Sequence, residues 1–119
     1  MDEYGRVVVV FTDGAPGFSN FEESEANLSL ENAEVLKSDY GAELYTVGLY
    51  DSSKETTNVR NFMNGLSSNY VGVETMTQVQ NSEAVSNKYY QTTGDTSKLN
   101  DIFTNITIDS TTTSTTVAL

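Results

Sequence analysis

The chain opens on a run that a surface strand does not carry: Val7-Val8-Val9-Val10-Phe11, followed by Thr12-Asp13-Gly14. Successive side chains of a strand point to opposite faces, so a strand with one wet face alternates apolar and polar residues. An unbroken β-branched run instead predicts a strand covered on both faces, as in a parallel sheet flanked by helices. This strand is expected from Arg6 to Thr12, with Pro16 and Gly17 breaking the loop after it. A helix is expected from Glu22 to Asp39, with Ala26, Leu30, Ala33, Leu36 and Tyr40 as its apolar stripe. Glu22, Glu23 and Glu25 fall in its first turn, where the helix dipole favours anions, and Gly41 stands where a left-handed cap belongs.

A second strand rich in β-formers spans Ala42 to Tyr50, and a polar loop from Asp51 to Thr57 follows it. Val59, Phe62, Met63 and Leu66 then make one helical face. From Val71 to Lys88 the periodicity fades, which reads as a long, mobile insertion with at most local structure. The segment KYYQTT reads as a third strand before Gly94. A last helix is expected from Thr96 to Ile108, with Leu99, Ile102, Phe103 and Ile106 on one face and Asp95 or Thr96 as its cap. Three β-α units in succession predict an α/β three-layer fold, its parallel strands in sequence order and its helices on both faces.

The first strand sits awkwardly in such a sheet. In sequence order it would be an edge, yet natural edges are short, charged or covered. So apolar a strand suits the middle of a larger sheet, as if the sheet's first half preceded residue 1. Its outer edge is expected to pair with a second copy of the chain, giving a homodimer, or to be covered by the chain's own N- or C-terminal tail.

Length, charge and missing residue types narrow the function classes. The 119 residues make at most one ordinary domain. Seventeen acidic against six basic residues give a net charge of −11, which opposes nucleic acid and anionic membranes as partners. With no cysteine and no histidine, the chain has no disulfide framework, thiolate metal site, ordinary zinc site, histidine base or Ser-His-Asp triad. No stretch is apolar and long enough for membrane insertion, and no signal-peptide pattern opens the chain, so a secreted form would take its signal from a longer precursor. Scarce lysine and arginine beside abundant threonine and asparagine suit a surface protein. The low-complexity segment 110–119 reads as a Thr/Ser-rich linker or disordered tail after a domain over 1–109.

The order of VVVVFTDGAPG, LKSDYGAELYTVGLY, FMNGLSSNY, YYQTTGD and LNDIFTNI resembles the C-terminal half of a von Willebrand factor type A domain, in the manner of Gram-positive surface proteins and pilus-tip adhesins. The resemblance covers nearly all of Tyr4 to Ile106 except the insertion. It implies half of a doubly wound, Rossmann-like fold, in which a strand like Val7–Phe11 is internal at the point where strand order reverses. It also implies a cell-wall or cell-surface parent protein whose Mg²⁺-dependent adhesion site binds a protein or extracellular-matrix ligand, without catalysis. Asp13 matches the aspartate of the third loop of that site. The first loop's D-x-S-x-S signature and the second loop's threonine have no match, so the fragment alone is expected to bind Mg²⁺ weakly or not at all.

Other readings of the same residues stay open. Asp13-Gly14 suits a simple turn, and Thr12 an ordinary strand threonine. An aspartate at a strand end also fits an Asp-centred phosphate-handling or signalling domain, but that chemistry wants a second carboxylate beside it, where this chain has Ala15, and a lysine at a later strand end, whereas Lys54 lies in a loop. A structural relic without ligand is the third reading. Glu22, Glu23 and Glu25 lack the spacing and glycine turn of a calcium loop and read as a solvated helix start. Asn27 and Asn105 fit the glycosylation triplet, although Asn27 falls inside a predicted helix.

Overall fold

The valine run divides by parity. Val7, Val9 and Phe11 enter one apolar cluster with Tyr45, Val47, Ile102 and Ile106, while Val8 and Val10 enter another with Leu30, Leu44, Phe62 and Met63. Both faces of β1 (Arg6–Thr12) are therefore covered, which is why the strand tolerates no alternation. The computed structural model describes residues 6–12, 22–109 and 113–118, with side chains over 7–12 and 22–106.

Along the chain follow α1 (Glu23–Asp39), β2 (Ala42–Gly48), α2 (Thr57–Leu66), α3 (Met76–Asn81), β3 (Tyr90–Thr92), α4 (Leu99–Asp109) and β4 (Thr113–Ala118). The strands form one sheet in the order β3-β2-β1-β4, and every neighbouring pair is parallel. Helices α1, α2 and α3 pack on the Val8/Val10 face, and α4 packs on the Val7/Val9 face. The connections explain this division. From β1 to β3 the chain steps one way across the sheet, and from β3 to β4 it steps back past β2 and β1. Right-handed crossovers running in opposite directions place their helices on opposite faces. The result is a three-layer α/β fold with a doubly wound parallel sheet.

Three expectations need correction. Strands β1 to β3 lie in sequence order as expected, but a fourth joins them: Thr113–Ala118, inside the segment read as a linker, pairs with β1 from Arg6↔Thr113 to Phe11↔Ala118. Low complexity hid its threonines, which are β-branched and suit a strand well. The exposed edge foreseen for β1 is thus covered by the chain's own C-terminal segment.

The second correction concerns Val71 to Lys88, which holds helix α3 and buries Val73, Met76 and Val79 against α1 and α2. Three apolar residues three apart are too few for a periodicity search, yet enough for one short helix. Thr75 caps it by accepting from Gln78 N–H at 3.1 Å. Asn27 of α1 accepts from Met76 N–H at 2.8 Å, so the side chain that fits a glycosylation triplet braces two helices.

The third lies in α1. Ala26, Leu30 and Ala33 are buried, but Leu36 and Tyr40 are 36% and 50% exposed. The buried row continues at Lys37, whose side chain is only 4% exposed. Its Nζ donates to the carbonyl oxygens of Gly65, Ser67 and Tyr70 at 3.1, 3.0 and 2.8 Å. Those carbonyls belong to the last turn of α2, its C-cap and the loop after it; the Gly65 carbonyl is among those a helix end leaves without intrahelical donors, and Ser67 O also accepts from Tyr70 N–H at 3.3 Å. Burial lowers the Lys37 pKa to about 8, with the Glu34 carboxylate at 4.0 Å opposing the shift.

The remaining boundaries follow local chemistry. Gly41 has φ +64°, the left-handed conformation expected after α1. Val59, Phe62, Met63 and Leu66 are all buried, and Ser67 is the C-cap of α2. Among the described residues, no helix is long and apolar enough to cross a membrane.

Candidate functional site

In a parallel sheet all carboxyl ends lie along one edge, and ligands of open α/β sheets bind there. That edge is formed by Thr12, Gly48, Thr92 and Ala118. It is laced by backbone hydrogen bonds, since Leu49 N–H donates to Thr12 O at 2.7 Å and Thr93 N–H to Gly48 O at 2.9 Å. Thr12 itself is buried. The order β3-β2-β1-β4 reverses between β1 and β4, the position of the crevice in doubly wound sheets. Asp13 is the next residue in the chain after β1, and it lies outside the described residues.

The described part of the edge carries a cleft of about 720 Å³ between the loops after β2 and β3. One wall is Leu49, Tyr50, Asp51 and Lys54, and the other is Thr93, Gly94, Asp95 and Lys98. The two walls repeat a tetrad, Asp51-Ser52-Ser53-Lys54 and Asp95-Thr96-Ser97-Lys98. Each forms a single 3₁₀ turn whose aspartate accepts from the backbone N–H two residues on at 2.9 Å. These hydrogen bonds hold the Asp51 and Asp95 carboxyls below their ordinary pKa: the Ser53 backbone bond leads for Asp51 and the Ser97 hydroxyl bond for Asp95. Asp95 is thus the cap expected for the last helix, reached through a 3₁₀ turn. Sequence reading missed the repeat because neither tetrad is apolar or periodic. Comparing the residues after each strand end would have found it.

A chain of hydroxyls ties Tyr50, in one wall of the cleft, to Tyr90 and Glu55. Tyr90 Oη donates to Glu55 Oε2, so Tyr50 Oη is the donor in its 2.6 Å bond to Tyr90 Oη. Arg60 adds a 3.6 Å contact to Glu55. Burial, followed by the hydrogen bond to Glu55, raises the Tyr90 pKa, and burial raises that of Tyr50. The folded state therefore keeps these protons beyond pH 10, where the unfolded chain releases them. Their contribution is complete below about pH 10 and is lost as pH rises further. Tyr90→Phe removes both bonds and is expected to cost about 1–2 kcal/mol at neutral pH. Denaturant titration should also show a shallower alkaline loss of stability in this variant than in the wild type.

The other candidates of the sequence are simpler. Glu22, Glu23 and Glu25 are solvent-exposed at the start of α1. Among the described residues, no three Asp or Glu side chains gather into a group able to hold a metal ion. The donor set of the resemblance is incomplete as well: Asp13 supplies one carboxylate, and the sequence has no counterpart of the other two loops. Mg²⁺ prefers near-octahedral oxygen geometry, so the residues present do not make a full site for it.

What the fold and its edge define is a class, a three-layer α/β domain with a doubly wound parallel sheet. The chain matches no protein-family model, and no curated protein or solved structure matches it significantly.

Proposed function

We propose that this chain is the C-terminal half of a von Willebrand A-type binding module from a cell-surface, adhesin-like protein. In the parent domain, Mg²⁺ would hold an acidic group of a protein or matrix ligand. The chain's own contribution is Asp13, the residue that follows β1 in the chain, and its role is binding rather than catalysis. One observation supports the reading: Asp13 is the first residue in the chain after β1, the strand at which strand order reverses, with β4 here on the edge that the parent domain would give to an earlier strand. The TDG motif and the sequence segments that follow it in order support the same assignment.

Calorimetry with Mg²⁺ on the wild type and on Asp13→Ala tests it. The wild type should bind with a dissociation constant on the order of millimolar or weaker, because too few oxygens surround the ion. The substitution should weaken even that. Micromolar binding abolished in Asp13→Ala would mean that the chain holds a complete site. Identical heats in the two proteins would remove Asp13 from the proposal.

A further inference from the structure

Lys54 and Lys98 stand apart from the other described basic side chains. Lys37 is buried on three carbonyls, Arg60 lies against Glu55, and Lys88 sits over the Tyr89 ring at 5.1 Å. Lys54 and Lys98 make no ion pair within 4.0 Å and no side-chain hydrogen bond among the described residues, though each lies in the field of its own tetrad's aspartate. A chain of net charge −11 has few cations to leave uncommitted, and these two line opposite walls of one cleft on the ligand edge.

We propose that this cleft binds an acidic sugar, a pyranose bearing a carboxylate or sulfate among its hydroxyls. The lysines supply donors for the anionic group. Asp51 and Asp95 use one carboxylate oxygen each on their own turn, and the other oxygen can accept from sugar hydroxyls. A bare inorganic anion would gain from the lysines but meet repulsion from both aspartates. A neutral sugar would offer the ammonium groups hydroxyl oxygens but no opposite charge. A ligand joining one anionic group to several hydroxyls satisfies all four side chains.

The volume of about 720 Å³ accommodates a sugar ring with room to spare. The walls are fixed in advance by the Thr93–Gly48 bond and by Gly94, where a Cβ would stand 3.3 Å from Asp51 N. Side chains on a preformed frame lose less freedom on binding. Among the described residues no group of three metal-ligating side chains lines the cleft, and the inference stands without the proposal for Asp13.

The test is an amide-resonance titration of the labelled protein in EDTA with galacturonate, galactose 6-sulfate, galactose and inorganic sulfate as separate probes. One or both acidic sugars should shift residues 51–54 and 93–98 saturably, and which one does so identifies the anionic group. Galactose and inorganic sulfate should each bind at least about tenfold more weakly. Lys54→Met and Lys98→Met should each weaken the acidic sugar about tenfold, and Lys88→Met should leave it unchanged. Both lysines are exposed, so these variants should retain the wild-type spectrum elsewhere. The proposal is overturned by the absence of saturable shifts with both acidic sugars, by inorganic sulfate matching them, or by binding that survives both lysine substitutions.

Discussion

A chain ended after residue 109 is expected to self-associate, and to do so more strongly as salt rises. Strand β4 covers the outer edge of β1 through pairs from Arg6↔Thr113 to Phe11↔Ala118. Without it, β1 presents a row of unpaired N–H and C=O groups beside Val8 and Val10. That combination is a template for another chain. The removed residues 110–119 carry no charged side chain, so the protein's side-chain charge of −11 persists and opposes association at low salt. Screening relaxes the repulsion, since the Debye length falls from about 30 Å at 0.01 M to about 3 Å at 1 M. The truncation should also cost about 2–3 kcal/mol of stability, the net of lost strand hydrogen bonds and the chain entropy regained. Sedimentation at two salt concentrations, beside urea unfolding, measures both effects. Unchanged stability and an unchanged sedimentation profile would mean that β4 does not protect β1.

Replacing Lys37 by methionine should cost about 2–3 kcal/mol, because the stem is matched while the three partly buried carbonyls lose their common donor. Part of the expected loss is offset by no longer desolvating an ammonium group, which keeps the figure below a simple sum over three bonds. The pH dependence separates the two contributions. The folded pKa of about 8 lies below the ordinary 10.5, so between these values the unfolded chain binds more protons than the folded one. Stability therefore rises with pH across that window, at most about 1.4 kcal/mol per unit, until the tyrosines begin to titrate near pH 10. Urea midpoints from pH 8 to 10 should climb in the wild type and stay flat in Lys37→Met. A flat wild-type profile would mean that the buried ammonium keeps its ordinary pKa.

The most legible parts of the fold were those with many apolar positions in register. Five consecutive apolar residues announced a doubly covered strand, and Val7–Phe11 feeds both core clusters. Four residues at helical spacing announced α2, all of them buried. Legibility failed where polar or small sets do structural work. Lys37 occupies a core position because its stem is apolar and its head finds carbonyls, a pairing visible only once α1 and α2 meet. Strand β4 was obscured by its Thr/Ser-rich composition, although the need for a partner beside β1 was readable from β1 itself. Asp13, to which the sequence pointed through its neighbours, lies outside the described residues, while the twin tetrads at 51–54 and 95–98 become a cleft only when the parallel sheet aligns the ends of β2 and β3.

The role of Asp13 is tested most directly by adding Mn²⁺, a paramagnetic stand-in for Mg²⁺ with similar oxygen preference, to the labelled protein. Line broadening should centre on Asp13 and its neighbours at the end of β1, reaching Leu49, whose N–H is bonded to Thr12 O. It should disappear from that region in Asp13→Asn. Broadening centred instead on Glu22, Glu23 and Glu25, or on Asp51 and Asp95, and indifferent to the Asp13 substitution, would contradict the account.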